Sequence, residues 1–229
     1  MRITPRQQTG PDLILLLLAS VSLFLGFAGA AAILPWYTSP LPRVSHDQGS
    51  WRVIEAFGVK INPREAWEAR PMNAGADSMD QPWRLTIHHQ GVGPFQNREF
   101  VSITRALRSI QTDHQENRGW VDIGYHFVID PAGRIWEARP LSYVGAHAGN
   151  REANEGNVGI LLLGNFDEQE LNFDQSAALE ALITALSSKW QIGRECVLTH
   201  DEVRREVGRS GTECPGKHLR AFVETYRSQ

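Results

Sequence analysis

The sequence has no surplus of basic charge: 23 Lys and Arg stand against 26 Asp and Glu, a formal net charge of −3. A chain without a positive field lacks the electrostatic grip that nucleic-acid binding depends on, and no nucleic-acid partner is expected. Cysteine is scarce as well. Only Cys196 and Cys214 occur, so at most one disulfide can form, and neither lies near the N-terminal apolar run, so a lipoprotein is not indicated. No internal repeat and no low-complexity tract interrupts the chain, which removes solenoid and array architectures. What remains is 229 residues with 41% hydrophobic content and seven Trp, enough for one well-packed domain plus appendages.

The first appendage is N-terminal. Arg2 and Arg6 precede an uncharged run from Leu13 to Leu34, long enough to cross a bilayer as a helix. Two readings stand at residues 1–34: a signal peptide cleaved near Ala28-Gly29-Ala30, or an uncleaved membrane anchor with Pro35-Trp36-Tyr37 at the far interface. Either exports the rest of the chain to the periplasm or outside the cell, because the positive charge stays behind. Residues 35–58 read as a proline-bearing linker and lead-in, and 59–229 as the domain.

Within the domain, strands alternate with helices. Trp83 to His88 reads as a strand. Phe100, Ile103, Leu107, Ile110 and His114 step by threes and fours, the mark of a helix with one inward stripe. Gly124–Asp130 and Arg134–Ala138 form a hairpin around Pro131-Ala132-Gly133. Val158 to Leu163 is apolar throughout, as a strand buried on both faces should be. Asp174 can cap a helix reaching Trp190, Val197–Thr199 is a further strand, and Lys217–Tyr226 a closing helix. This order predicts an α/β single domain: a central mixed β-sheet flanked by helices on both faces, preceded by an N-terminal hydrophobic helix.

Three residues carry the chemistry. His88 and His200 close apolar runs, and Cys214 sits in Thr212-Glu213-Cys214-Pro215-Gly216. Two imidazoles and a thiolate are the three protein ligands that a catalytic zinc keeps, with its fourth position left for water. Alternation along a strand lets only one of His88 and His89 face such a site. In an exported protein, a Cys196–Cys214 disulfide is the competing use of the sulfur. His114 is expected in the core, and His126 on the face opposite Tyr125.

Several segments occur in one order: Pro63-Arg64-Glu65-Ala66-Trp67-Glu68-Ala69-Arg70-Pro71, Ile87-His88-His89, Asp122-Ile123-Gly124-Tyr125-His126-Phe127, Gly145-Ala146-His147, Asn157-Val158-Gly159-Ile160 and Thr212-Glu213-Cys214-Pro215-Gly216. Together they resemble peptidoglycan recognition protein domains and a bacteriophage N-acetylmuramoyl-L-alanine amidase, from Ile61 to Tyr226. The resemblance implies a Zn2+-dependent amidase, acting as a monomer on peptidoglycan or muropeptides. Such an enzyme cuts between the lactyl group of N-acetylmuramic acid and L-alanine of the stem peptide. It implies His88, His200 and Cys214 as metal ligands, and Tyr125 and Thr212 as catalytic residues. Trp120, Arg139, His147 and Asn157 are then expected on the substrate side.

Departures from the family pattern are specific. Thr212 stands where the phage enzyme has a lysine. His200 and Cys214 are 14 positions apart, longer than usual, so Arg204–Gly211 is expected to loop out over the cleft mouth. Leu161 replaces the glutamate of cytosolic recycling amidases, and Arg139-Pro140-Leu141 gives no stem-peptide preference. The alternative function is a non-catalytic muropeptide-binding module. Because non-catalytic relatives usually lose the cysteine ligand, Cys214 is the discriminating residue.

Overall fold

The structure, a computed structural model, describes residues 50–229; the expected hydrophobic helix and the spacer through position 49 lie outside the described residues. Six strands form one sheet: β1 (Ile61–Asn62), β2 (Arg84–His89), β3 (Phe127–Ile129), β4 (Ile135–Glu137), β5 (Asn157–Leu162) and β6 (Val197–Thr199), in the order β1-β4-β3-β5-β2-β6. Every neighbouring pair is parallel except the β3–β4 hairpin. The sheet is therefore mixed, as expected. β5, apolar along Val158–Leu162 and buried at every position, lies inside it between β3 and β2.

The helices are α1 (Arg52–Glu55), α2 (Phe100–Thr112), α3 (Arg151–Asn154), α4 (Phe173–Trp190), α5 (His200–Glu206) and α6 (Lys217–Ser228). One sheet face sends Leu85, Ile87, Phe127, Val158 and Ile160 against Leu179, Leu182 and Leu186 of α4 and Leu219 and Val223 of α6. The opposite face packs Val128, Leu161 and Trp136 on Trp67 and on Ile103 and Leu107 of α2. Each such side chain contributes about 1.5–3 kcal/mol of burial, which fixes the sheet between two helical layers. Trp51 and Ile54 join the first core, and the Leu141 amide donates to Ser50 Oγ at 3.0 Å. The expected lead-in is thus packed into the domain. Among the described residues, no helix is long and apolar enough to cross a membrane.

Three local details differ from the sequence pattern. The buried stripe of α2 is Ile103, Thr104, Leu107 and Gln111, whereas Phe100 is exposed. Gln111 turns inward because its amide accepts from Arg70 N and donates to Arg70 O and Asp122 Oδ1. The helix then widens into a π turn, Asp113–Asn117, which carries His114. Finally, α4 is capped by Asn172, whose Oδ1 accepts the Gln175 N–H at 2.9 Å, while Asp174 pairs with Arg98.

Candidate metal centre and its cleft

β2 delivers adjacent histidines to opposite faces of the sheet, as the pleat requires. His89 is drawn to one side, its Nδ1 accepting the Phe166 N–H at 3.2 Å. His88 faces the other way, its ring 5.1 Å from that of Tyr125, 5.0 Å from His147 and 4.5 Å from His200.

His200 directly follows β6 and begins a helix. Thr199 is the N-cap of α5, and a capping box joins its side chain to the Glu202 N–H and the Glu202 carboxylate to the Thr199 N–H. That turn swings the His200 ring over His88. The long stretch to Cys214 leaves the sulfur in place. α5 continues through Glu206, so the segment expected to loop out is helical in its first part, with Arg204 on the cleft wall. The cysteine turn is then lashed back to the helices. The Thr212 N–H donates to Asp201 Oδ1 at 2.8 Å, and Arg220 donates to both Asp201 Oδ2 and the Thr212 carbonyl.

One ligand atom each from His88, His200 and Cys214 lies within 4.8 Å of the others. Cys214 Sγ is 3.7 Å from His88 Nδ1. Tetrahedral zinc bonds of about 2.0–2.3 Å require ligand atoms about 3.5 Å apart, so this pair needs almost no rearrangement. Both ring nitrogens of His200 are shielded from solvent without a hydrogen-bond partner among the described residues. A buried polar atom left so is costly unless something is bound to it. The donor set and its geometry fit zinc. Neither cysteine is in a disulfide, and Cys196 packs against the first core.

Burial pushes the Cys214 thiol up to about 12, opposed by the His89 N–H, which donates to Sγ at 3.5 Å. Burial also takes His200 down to about 4 and His88 well below the ordinary histidine range, with His200 and His147 adding to the effect on His88. Both imidazoles are therefore neutral at pH 7, the state a metal ligand needs. Burial raises the Tyr125 phenol far above its usual range, with Cys214 adding to it, so the phenol keeps its proton.

Beside these residues opens a cleft of about 380 Å³, lined by Arg118, Trp120, Tyr125, His147, His200 and Arg204, among others. Trp120 packs at a tilt against His114, ring centres 4.6 Å apart, and carries the Arg118 guanidinium 5.1 Å from its ring centre. Trp120 also lines an adjoining groove of about 320 Å³, together with Arg139. Arg139 is nearly buried, with its nitrogens donating to the carbonyls of Asp122, Ile123 and Val144. It holds in place the loop that carries Tyr125. The Asn157 side chain is buried as well, bonded to Ala153 O and Thr86 Oγ1. Thr212 Oγ1 accepts the Cys214 N–H at 3.3 Å and so supports the cysteine turn. Arg118 and Arg204 were not singled out in the sequence. For Arg204 a signal existed, since it stands four residues after His200 on a helix that Thr199-x-x-Glu202 announces.

The comparisons with known proteins agree with this geometry. Residues 78–217 match the family model described as N-acetylmuramoyl-L-alanine amidase. Peptidoglycan-recognition protein SC2 of Drosophila melanogaster is 32% identical over 170 residues, covering 74% of this chain and 88% of the relative. The crystal structure of Drosophila peptidoglycan recognition protein SD superposes with a TM-score of 0.63 at 32% identity, covering 72% of this chain and 94% of that one. A Tyr→Phe mutant of Drosophila PGRP-LB in complex with tracheal cytotoxin superposes with a TM-score of 0.62 at 29% identity, covering 72% and 93%.

Proposed function

The chain belongs to the N-acetylmuramoyl-L-alanine amidase family, and from that premise we propose that it hydrolyses the bond between N-acetylmuramic acid and L-alanine in peptidoglycan or muropeptides, with zinc held by His88, His200 and Cys214. The observation that carries this reading is the convergence of those three ligand atoms beside a cleft. A bound zinc supplies Lewis acidity, activating water and polarising the amide carbonyl.

The rest is the work of side chains. Cys214, as a thiolate, brings one negative charge, and the neutral imidazoles bring none, so the centre keeps a net positive charge for an anionic transition state. Tyr125 reaches the cleft with its proton retained and donates a hydrogen bond to the oxyanion as it forms. A single donor of this kind is worth about 3 kcal/mol. Thr212 acts on the same side, through the turn that places the sulfur. Trp120 offers an apolar wall to the sugar or the stem, flanked by Arg118 and Arg204, whose charges suit the carboxylates of a stem peptide. Muropeptide as ligand is supported by the relative crystallised with tracheal cytotoxin. The uncharged Leu13–Leu34 run supports a reaction outside the cytoplasm.

Digestion of purified sacculi by the full chain, read by mass spectrometry with and without chelator, tests the proposal. Free stem peptides are expected only without chelator. Retention of muropeptide without cleavage would reduce the protein to a binding module, and full turnover by Cys214→Ser would refute the ligand set.

A further inference from the structure

His147 sits in a socket built for an imidazole. A Cβ on Gly145 would lie 2.6 Å from its Cδ2, and one on Gly159 would lie 2.6 Å from Cδ2 and 2.7 Å from Cγ. Only glycine at both positions leaves the ring its space. Gly159 is in β5, where glycine weakens a strand and marks a close approach by another group. The main chain at the ring is pinned by Asn154, whose Oδ1 accepts the N–H of His147 at 2.8 Å and of Ala148 at 2.9 Å.

The socket gives each ring nitrogen one partner. Nε2 of His147 is 3.1 Å from the Asn157 carbonyl oxygen, and Nδ1 is 3.0 Å from His88 Nε2. A carbonyl only accepts, so His147 Nε2 carries the hydrogen. A neutral imidazole has a single N–H, so its Nδ1 offers a lone pair. His88 Nε2 must then be the donor, and His88 Nδ1 is left with a lone pair. That is the atom 3.7 Å from Cys214 Sγ.

We propose that His147 is a positioning residue: anchored on the Asn157 carbonyl, it takes the His88 Nε2 hydrogen bond and so fixes both the tautomer and the ring plane that aim His88 Nδ1 at the metal. This rests on the zinc reading above. A neutral acceptor has a further consequence. A carboxylate in its place would add a second negative charge behind the centre, whereas histidine orients the ligand without reducing the net positive charge.

Zinc affinity of the full chain, measured by competition with a chromophoric chelator, tests the role without substrate. His147→Leu fills the volume but accepts nothing. His147→Asn keeps an acceptor oxygen near the Nδ1 position. The leucine variant is expected to bind zinc about 10–100-fold more weakly, as loss of an outer hydrogen bond to a ligand does, with most of the loss restored by asparagine. Wild-type affinity in the leucine variant, or equal loss in both, would overturn the proposal. Should either variant fail to fold, nitrogen-15 spectra of the histidine-labelled wild-type chain decide. They should show both His88 and His147 protonated at Nε2; a His147 proton at Nδ1 would overturn it. A chain that binds zinc with these tautomers yet cleaves nothing would instead refute the amidase reading alone.

Discussion

Cys214 Sγ lies 3.7 Å from Nδ1 of His88, although 126 positions separate them in the chain. Two separately built elements meet there: the end of a buried parallel strand and a turn tied by Thr212 and Asp201 to the start of α5. Each is held by its own hydrogen bonds, so the chemistry of the site can be predicted residue by residue.

Tyr125→Phe removes the phenolic donor and little else, since the ring still packs beside His88 and the second core. kcat for stem-peptide release should fall by about 10²–10³, with zinc affinity unchanged within twofold. Steady-state kinetics together with metal titration separate the two. A parallel loss of zinc would assign the residue to structure.

Zinc binding at pH 6 should release one proton. The thiol of Cys214, pushed up to about 12, is protonated in the metal-free protein, whereas His200, lowered to about 4, and His88, lower than usual, are already neutral. Apparent affinity therefore rises about tenfold per pH unit between about pH 5 and 7, because one bound proton competes with the metal. Calorimetry in buffers of different ionisation enthalpy counts the protons; none, or three, would contradict the assignment.

Acid should destabilise the metal-free domain below pH 6.5. Burial lowers His114 to about 4 and His126 to about 3, from 6.5 in the unfolded chain. The Nδ1 of each accepts a backbone N–H, from Gly124 and Gly159 respectively, at 3.0 Å. The unfolded state takes up these protons first, so stability present above pH 6.5 is lost as pH falls toward the folded values. Between pH 7 and 5 the two together cost on the order of 4 kcal/mol. Urea unfolding at both pH values measures it, and an unchanged midpoint would contradict the neutral buried assignment.

Gly159→Ala should be costly despite the small change. Its Cβ would stand 2.6 Å from the His147 ring, and overpacking of this kind costs typically about 1–3 kcal/mol. A thermal melt with Tm unchanged would show that the socket yields.

Much of this was legible in the sequence, for identifiable reasons. β5 announces itself because Val158 to Leu162 is apolar without a break, and α4 because Leu179, Leu182 and Leu186 recur on one side. The three residues proposed as zinc ligands stand out by their types and the segments around them, and the fold brings them together. The surroundings were harder to read. The strand Val197–Thr199 is read correctly, but the helix that starts at His200 is not, although Thr199-His200-Asp201-Glu202 carries a capping box. Gln111 is buried only because Arg70 and Asp122, distant in sequence, satisfy its amide. Arg139 is buried because three backbone carbonyls, those of Asp122, Ile123 and Val144, take its nitrogens. Partners of this kind arise from tertiary folding and leave no local pattern.

X-ray absorption at the zinc edge of the loaded full-length chain addresses the shared ion most directly. The spectrum should require one sulfur at about 2.3 Å and two imidazole nitrogens at about 2.0–2.1 Å, plus one light atom. A fit with no sulfur, or with zinc absent after dialysis at neutral pH, would contradict it.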